Sequence, residues 1–193
     1  MRTHVSRTVS SCFATLRQLR SICRSTSQAV LLSLVVSLVL SRLDYGNATL
    51  ASLPGNQLNR LQSVINAAAR LVCSAHKYEN ITPLLRYLHW LRVSERIEFK
   101  LSVLVFRCLH TGPPYLASEL RRVADVDTRK RLRSASTSVL VTPSLCGTTI
   151  GDRAFFVAEP RAWNTLPSSV TASETLGTFK RRLKTHLFAT SFP

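Results

Sequence analysis

Apolar residues in this chain recur at steps of three and four, the spacing of one face of an α-helix. Over Leu58–Val72 the set is Leu58, Leu61, Ile65, Ala68 and Val72; over Glu95–Leu109 it is Ile97, Leu101, Leu104, Val105 and Cys108. Phe99, Val103 and Phe106 spread the second set beyond a single stripe, which predicts a helix in the middle of a packed domain. The same spacing predicts an amphipathic helix over Ser10–Ile22, through Phe13, Leu16, Leu19 and Ile22 or Cys23. A last helix is predicted over Glu174–Phe188, capped by Ser173 and packed through Leu176, Phe179, Leu183 and Leu187.

Punctuating residues divide these stretches. Ser27 suits the N-cap of an apolar helix running to Arg42. Leu53-Pro54-Gly55-Asn56 predicts a turn. Thr82 is the expected cap of a short helix with Pro83 at its first position, ending near Leu88, with His89 and Trp90 in the joint that follows. Gly112-Pro113-Pro114 stops the second central helix, and another short helix is expected over Tyr115–Arg121. Val139–Val141 reads as a short strand, and Gly151–Ala158 as a turn entering a helix that ends near Trp163-Asn164. The expected fold is mainly α: a helical region over 1–124, a basic Ser/Thr-rich linker over 125–138, and a small, mostly helical tail over 139–193.

The most apolar run, Ala29–Leu40, is too short for a membrane span. Twelve helical residues reach about 18 Å against a hydrocarbon core of about 30 Å, and Ser33 and Ser37 interrupt it. A buried helix is expected there, and no membrane partner.

Charge changes the picture more than composition does. The 193 residues are 45% hydrophobic, a globular value, yet they carry 26 Lys+Arg against 10 Asp+Glu, a formal +16 and a pI near 11.0. Such an excess costs self-repulsion in the folded state, which points to a polyanionic partner, nucleic acid first. Arg17, Arg20 and Arg24 make one cationic edge of the first helix. Arg129, Lys130, Arg131 and Arg133 crowd the linker, and Lys180, Arg181, Arg182 and Lys184 lie on the terminal helix. Each group also has a plain reading: a solvated face, a solvated loop, and cations that suit the C-terminal end of a helix dipole. As phosphate contacts, six of them on duplex DNA would make log K fall with log salt at a slope of about −5. With no regularly spaced aromatic platform, no sequence readout is expected.

Candidate chemistry is sparse. The five cysteines are odd in number and scattered, with no CxxC pair, and read as reduced thiols of an intracellular chain, nuclear or cytoplasmic. Cys73-x-x-His76 and Cys108-x-His110 are the nearest approach to metal ligands; they read as fortuitous helix-end pairs, so no metal and no cofactor is expected. A GxSxG elbow, a phosphate-binding GxxxxGK[ST] loop and an HExxH motif are all missing. The acids are isolated from one another, whereas two-metal nucleotidyl transfer needs several carboxylates converging on cations about 4 Å apart.

Several blocks in order resemble the C-terminal part of the reverse transcriptase of non-LTR (LINE-type, jockey-like) retrotransposons. They are Ser41-Arg42-Leu43-Asp44-Tyr45-Gly46-Asn47, Leu53-Pro54, Arg60-Leu61-Gln62 and Asn66-Ala67-Ala68-Ala69-Arg70-Leu71-Val72. They continue through Ile81-Thr82-Pro83-Leu84-Leu85, Leu88-His89-Trp90-Leu91 and Arg96-Ile97-Glu98-Phe99-Lys100. Gly151-Asp152-Arg153-Ala154-Phe155, Trp163-Asn164-Thr165-Leu166-Pro167, Phe179-Lys180 and Leu183-Lys184-Thr185-His186-Leu187-Phe188 complete them. The resemblance implies a thumb-like helical bundle followed by a tail, the segment beyond the catalytic palm. The family's polymerase carboxylates, an aromatic-x-Asp-Asp motif, have no counterpart here, because no two acids are adjacent. So the resemblance implies a fragment of an RNA-directed DNA polymerase that is not an enzyme by itself, takes no small-molecule substrate, and grips RNA or DNA by the backbone. An orphaned structural module with no nucleic-acid activity is the alternative.

Overall fold

Helix formation begins earlier than the apolar spacing requires. In a computed structural model that describes residues 2–46, 50–112, 120–123, 139–143 and 155–192, α1 runs Arg2–Ile22 and buries Val5, Val9, Cys12, Leu16 and Leu19 at alternating steps of four and three. Next come α2 (Gln28–Val35), a π-helical turn (Val36–Leu40), α3 (Ser41–Asp44), α4 (Gly55–Val72), α5 (Ile81–Tyr87) and α6 (Val93–His110). The described remainder holds α7 (Phe155–Asn164), α8 (Ser168–Thr171) and α9 (Leu176–Ser191). The architecture is mainly α-helical, as the spacing predicts. The chain forms two compact units: Met1–Gly46 with Leu53–Glu95 and Ser191–Pro193, and Asn47–Ser52 with Arg96–Thr190.

In the first unit α1 packs on α4, on α2 and α3, and on the π-helical turn between them; α4 also carries α5. The α4 face is Leu61, Val64, Ile65, Ala68, Ala69 and Val72, all buried. Polar side chains tie its ends. Gln28 Nε2 donates to the Val72 carbonyl at 3.3 Å, and the Gln62 side-chain oxygen accepts from the Val93 amide at 2.9 Å. Arg42 donates to the Ser11 hydroxyl at 2.7 Å, joining α3 to α1.

Ala29–Leu40 is half-buried rather than interior. Leu31, Val35, Val39 and Leu43, four residues apart, point inward, while Val30, Val36 and Leu38 are exposed. Steps of four drift around an α-helix, and the wider π turn takes up that drift, keeping the set on one face. Ser27 caps α2 as expected, accepting from the Val30 amide.

Other caps differ from expectation by two residues. Asn80, not Thr82, caps α5, its side chain accepting from the Thr82 amide at 3.1 Å, which places Pro83 third in the helix. First-turn amides have no helical partner, so proline is tolerated there. Thr175, not Ser173, caps α9 by accepting from the Thr178 amide; the Ser173 hydroxyl is buried and donates to the Val170 carbonyl.

The second unit is built on an aromatic stack. Phe106 of α6 lies 4.5 Å from Phe179 of α9, and Trp163 of α7 lies 5.7 Å from the same ring. Leu183 and Leu187 extend that core. The strand expected at Val139–Val141 is instead one isolated antiparallel bridge, Arg122 to Leu140. Its other edge is satisfied by a side chain: Asn164 accepts from the Leu140 amide at 2.9 Å and donates to its carbonyl at 2.8 Å. An amide side chain mimics a neighbouring strand at that one residue, so no ladder is required. The linker 125–138 and nearly all of the helix expected over Tyr115–Arg121 lie outside the described residues; Arg121 itself is not helical.

Candidate nucleic-acid interface

Two helices running the same way build a cationic groove in the first unit. Near its start α1 meets α4 through Ser6, whose hydroxyl accepts from Arg60 at 3.0 Å; farther on, Leu16 and Arg17 share a groove with Ala67 and Leu71. The helices are therefore parallel, and their C-terminal ends converge. The groove at that end encloses about 930 Å³. Arg17 and Arg20 enter it from α1, Arg24 from the turn after that helix, and Arg70, His76 and Lys77 from the end of α4 and the turn beyond.

The turn is set by the backbone. Ser74 sits in the left-handed region at φ 52°. Its amide donates to the Leu71 carbonyl at 3.4 Å and that of Ala75 to Arg70 at 2.9 Å, the paired bonds of a Schellman stop. That stop swings His76 and Lys77 back to face α1. The same device ends α5, with His89 at φ 52° and Trp90 donating to the Leu85 carbonyl at 2.9 Å.

Helix dipoles also draw cations to this place, because two C-termini contribute about −0.5 charge each. Magnitudes decide against neutralisation. Five Lys and Arg side chains line the groove and no acid does, so a cationic excess survives both helix ends. Side chains already engage several of the free α1 carbonyls: Ser21 on Gln18, Cys23 on Arg20, Ser25 and Thr26 on Ile22. Beside the groove, the carboxylate of Glu79 accepts from the His76 amide at 2.6 Å. Its backbone carbonyl accepts from Arg70 at 3.3 Å, while Arg70 Nε is buried without a partner. The first unit holds eleven Lys and Arg residues against three acids, Asp44, Glu79 and Glu95.

Of the cations singled out by sequence, the structure brings Arg17, Arg20 and Arg24 to one groove, Arg24 from the turn past the end of α1 rather than from the helix edge expected, and adds Arg70 and Lys77, with His76 beside them, which the spacing did not reveal. Arg70, His76 and Lys77 have no periodic signal, since they straddle the end of a helix. Lys180, Arg181, Arg182 and Lys184 belong to α9 in the second unit; Lys180 is half-buried, the others are exposed, and Arg182 donates to the Ser169 carbonyl at 3.0 Å. Arg129, Lys130, Arg131 and Arg133 lie outside the described residues.

Among the described residues, no group of three or more His, Cys, Asp or Glu side chains is placed to share a metal ion. His110 pairs through Nδ1 with the Phe106 carbonyl at 2.9 Å and stacks on that ring. Cys12, Cys23, Cys73 and Cys108 are free thiols; burial pushes Cys12, Cys73 and Cys108 up, and the Glu159 carboxyl adds to the rise at Cys108. No described helix is long and apolar enough to cross a membrane. Compared with known protein families, curated proteins and solved structures, the chain matches none.

Proposed function

We propose that this chain is the post-palm portion of a non-LTR retrotransposon reverse transcriptase, and that by itself it grips RNA or DNA by the backbone without catalysing a reaction. The binding part rests on one observation, the groove between α1 and α4 with five Lys and Arg side chains and no lining acid. The family part rests on the ordered sequence blocks from Ser41 to Phe188. Phosphate neutralisation is the chemistry such a surface supplies, and it is indifferent to base sequence. Free thiols agree with an intracellular setting, nuclear or cytoplasmic.

The test is a salt titration of the full chain on a labelled duplex. Five groove contacts give a log–log slope of about −4.5. Replacing Arg17, Arg20 and Arg24 together with Gln should reduce its magnitude by about 2.7. Affinity that is flat in salt rejects the reading. With primed template, nucleotides and magnesium supplied, no extension is expected, and extension would overturn the non-catalytic assignment.

A second reading, an orphaned packing module, draws on a different observation: Val30, Val36 and Leu38 are 51%, 44% and 40% exposed on one short segment. It predicts self-association in place of nucleic-acid retention.

A further inference from the structure

Phosphate contacts alone leave the floor of the α1–α4 groove unexplained. Between the cations the lining is apolar: Phe13, Ala67, Leu71 and Ala75 are half-buried, beside the buried Leu16. A duplex meets such a surface with phosphates and keeps its base faces stacked inside, so it would leave this strip against water. A single strand carries both components, phosphates for the rim and unpaired base faces for the floor.

We infer that the groove between α1 and α4 is a single-strand site, in which one or two unstacked bases of RNA or DNA lie on Phe13 and Leu71 while Arg17, Arg20, Arg24, Arg70 and Lys77 hold the flanking phosphates. This rests on the nucleic-acid reading above and narrows it. A volume of about 930 Å³ falls at the upper end of sites that enclose small ligands, about 300–1,000 Å³, so there is room for bases as well as phosphates. The bond from Arg70 to the Glu79 carbonyl fixes one guanidinium in place before any strand arrives. An acidic amphipathic protein helix would also meet a cationic rim. It needs several large apolar anchors at helical spacing, though, and this floor offers one aromatic and one half-buried leucine among alanines.

The experiment compares three labelled probes on the full chain at matched salt: a twelve-nucleotide oligo(dT), a twelve-base-pair duplex, and a twelve-residue abasic strand with the same phosphates and no bases. Oligo(dT) should bind about tenfold tighter than the abasic strand, the scale of stacking one base on an aromatic ring, and tighter than the duplex. Phe13→Leu, which keeps the apolar packing, should remove that advantage and leave the salt slope unchanged. Equal affinity for all three probes with steep salt dependence overturns the single-strand inference and leaves the electrostatic reading standing. Absent or salt-independent binding overturns both. An acidic amphipathic peptide that displaces oligo(dT) at lower concentration gives the groove to a protein partner instead. If Phe13→Leu does not fold, the abasic comparison, made on the unaltered chain, decides.

Discussion

Glu159 lies in α7 with none of its surface exposed, and neither carboxyl oxygen has a hydrogen-bond partner. Burial pushes its pKa up from 4.5 to about 9, so the side chain is protonated at neutral pH. The folded-state value is the higher one. The stability of the neutral acid is therefore fully present below about 4.5 and is lost as pH rises toward about 9, at roughly 1.4 kcal/mol per pH unit. Glu159→Gln has no proton to lose. It should match the wild type within about 1 kcal/mol at pH 4.5 and exceed it by about 4 kcal/mol at pH 8. Urea midpoints at the two pH values measure this, and comparing the two proteins cancels the common repulsion of a +16 chain. Ser74 is a second strained position. At φ 52° a side chain costs energy that glycine does not. Ser74→Gly should gain about 0.5–1 kcal/mol and leave the salt slope of binding untouched.

At the scale of elements, what depends on neighbours in sequence was readable and what depends on distant packing was not. Leu61, Ile65, Ala68 and Val72, and again Phe179, Leu183 and Leu187, announce their buried faces by spacing, and all are buried. The caps of α5 and α9 were misplaced by two residues because polar side chains able to cap stand close together, at 80 and 82 and at 173 and 175. The bridge at Leu140 reads as a strand because its Val-Leu-Val neighbourhood is β-favouring; its partners are Arg122 on one edge and the Asn164 side chain on the other, which no local pattern links to it. Half of the groove was legible as the arginines of α1 and of the turn after it, Arg17, Arg20 and Arg24. The other half required knowing that α4 ends beside the end of α1, and nothing local encodes a parallel pairing of helices. Glu159 could have been noticed from its apolar flanks, Phe-Phe-Val-Ala before it and Pro160 after.

For the whole molecule, the exposed apolar side chains Val30, Val36 and Leu38 bear on the second functional reading. If these side chains serve self-association, as the packing-module reading requires, the chain should sediment as dimers or larger species. Val30→Lys with Leu38→Lys should then return it to monomer. The salt titration and the sedimentation run thus report on different surfaces of the first unit. The parallel course of α1 and α4 carries a kinetic consequence. A short hairpin cannot join parallel helices, so the chain travels through α2 and α3 before α4 arrives, and the arginines of α1 meet Arg70 and Lys77 only after a loop of roughly 50 residues has closed. That closure gathers like charges that were far apart in the unfolded polymer. Inorganic polyphosphate, present from the first millisecond of a stopped-flow refolding run, should therefore hasten the return of native signal as well as slow its loss.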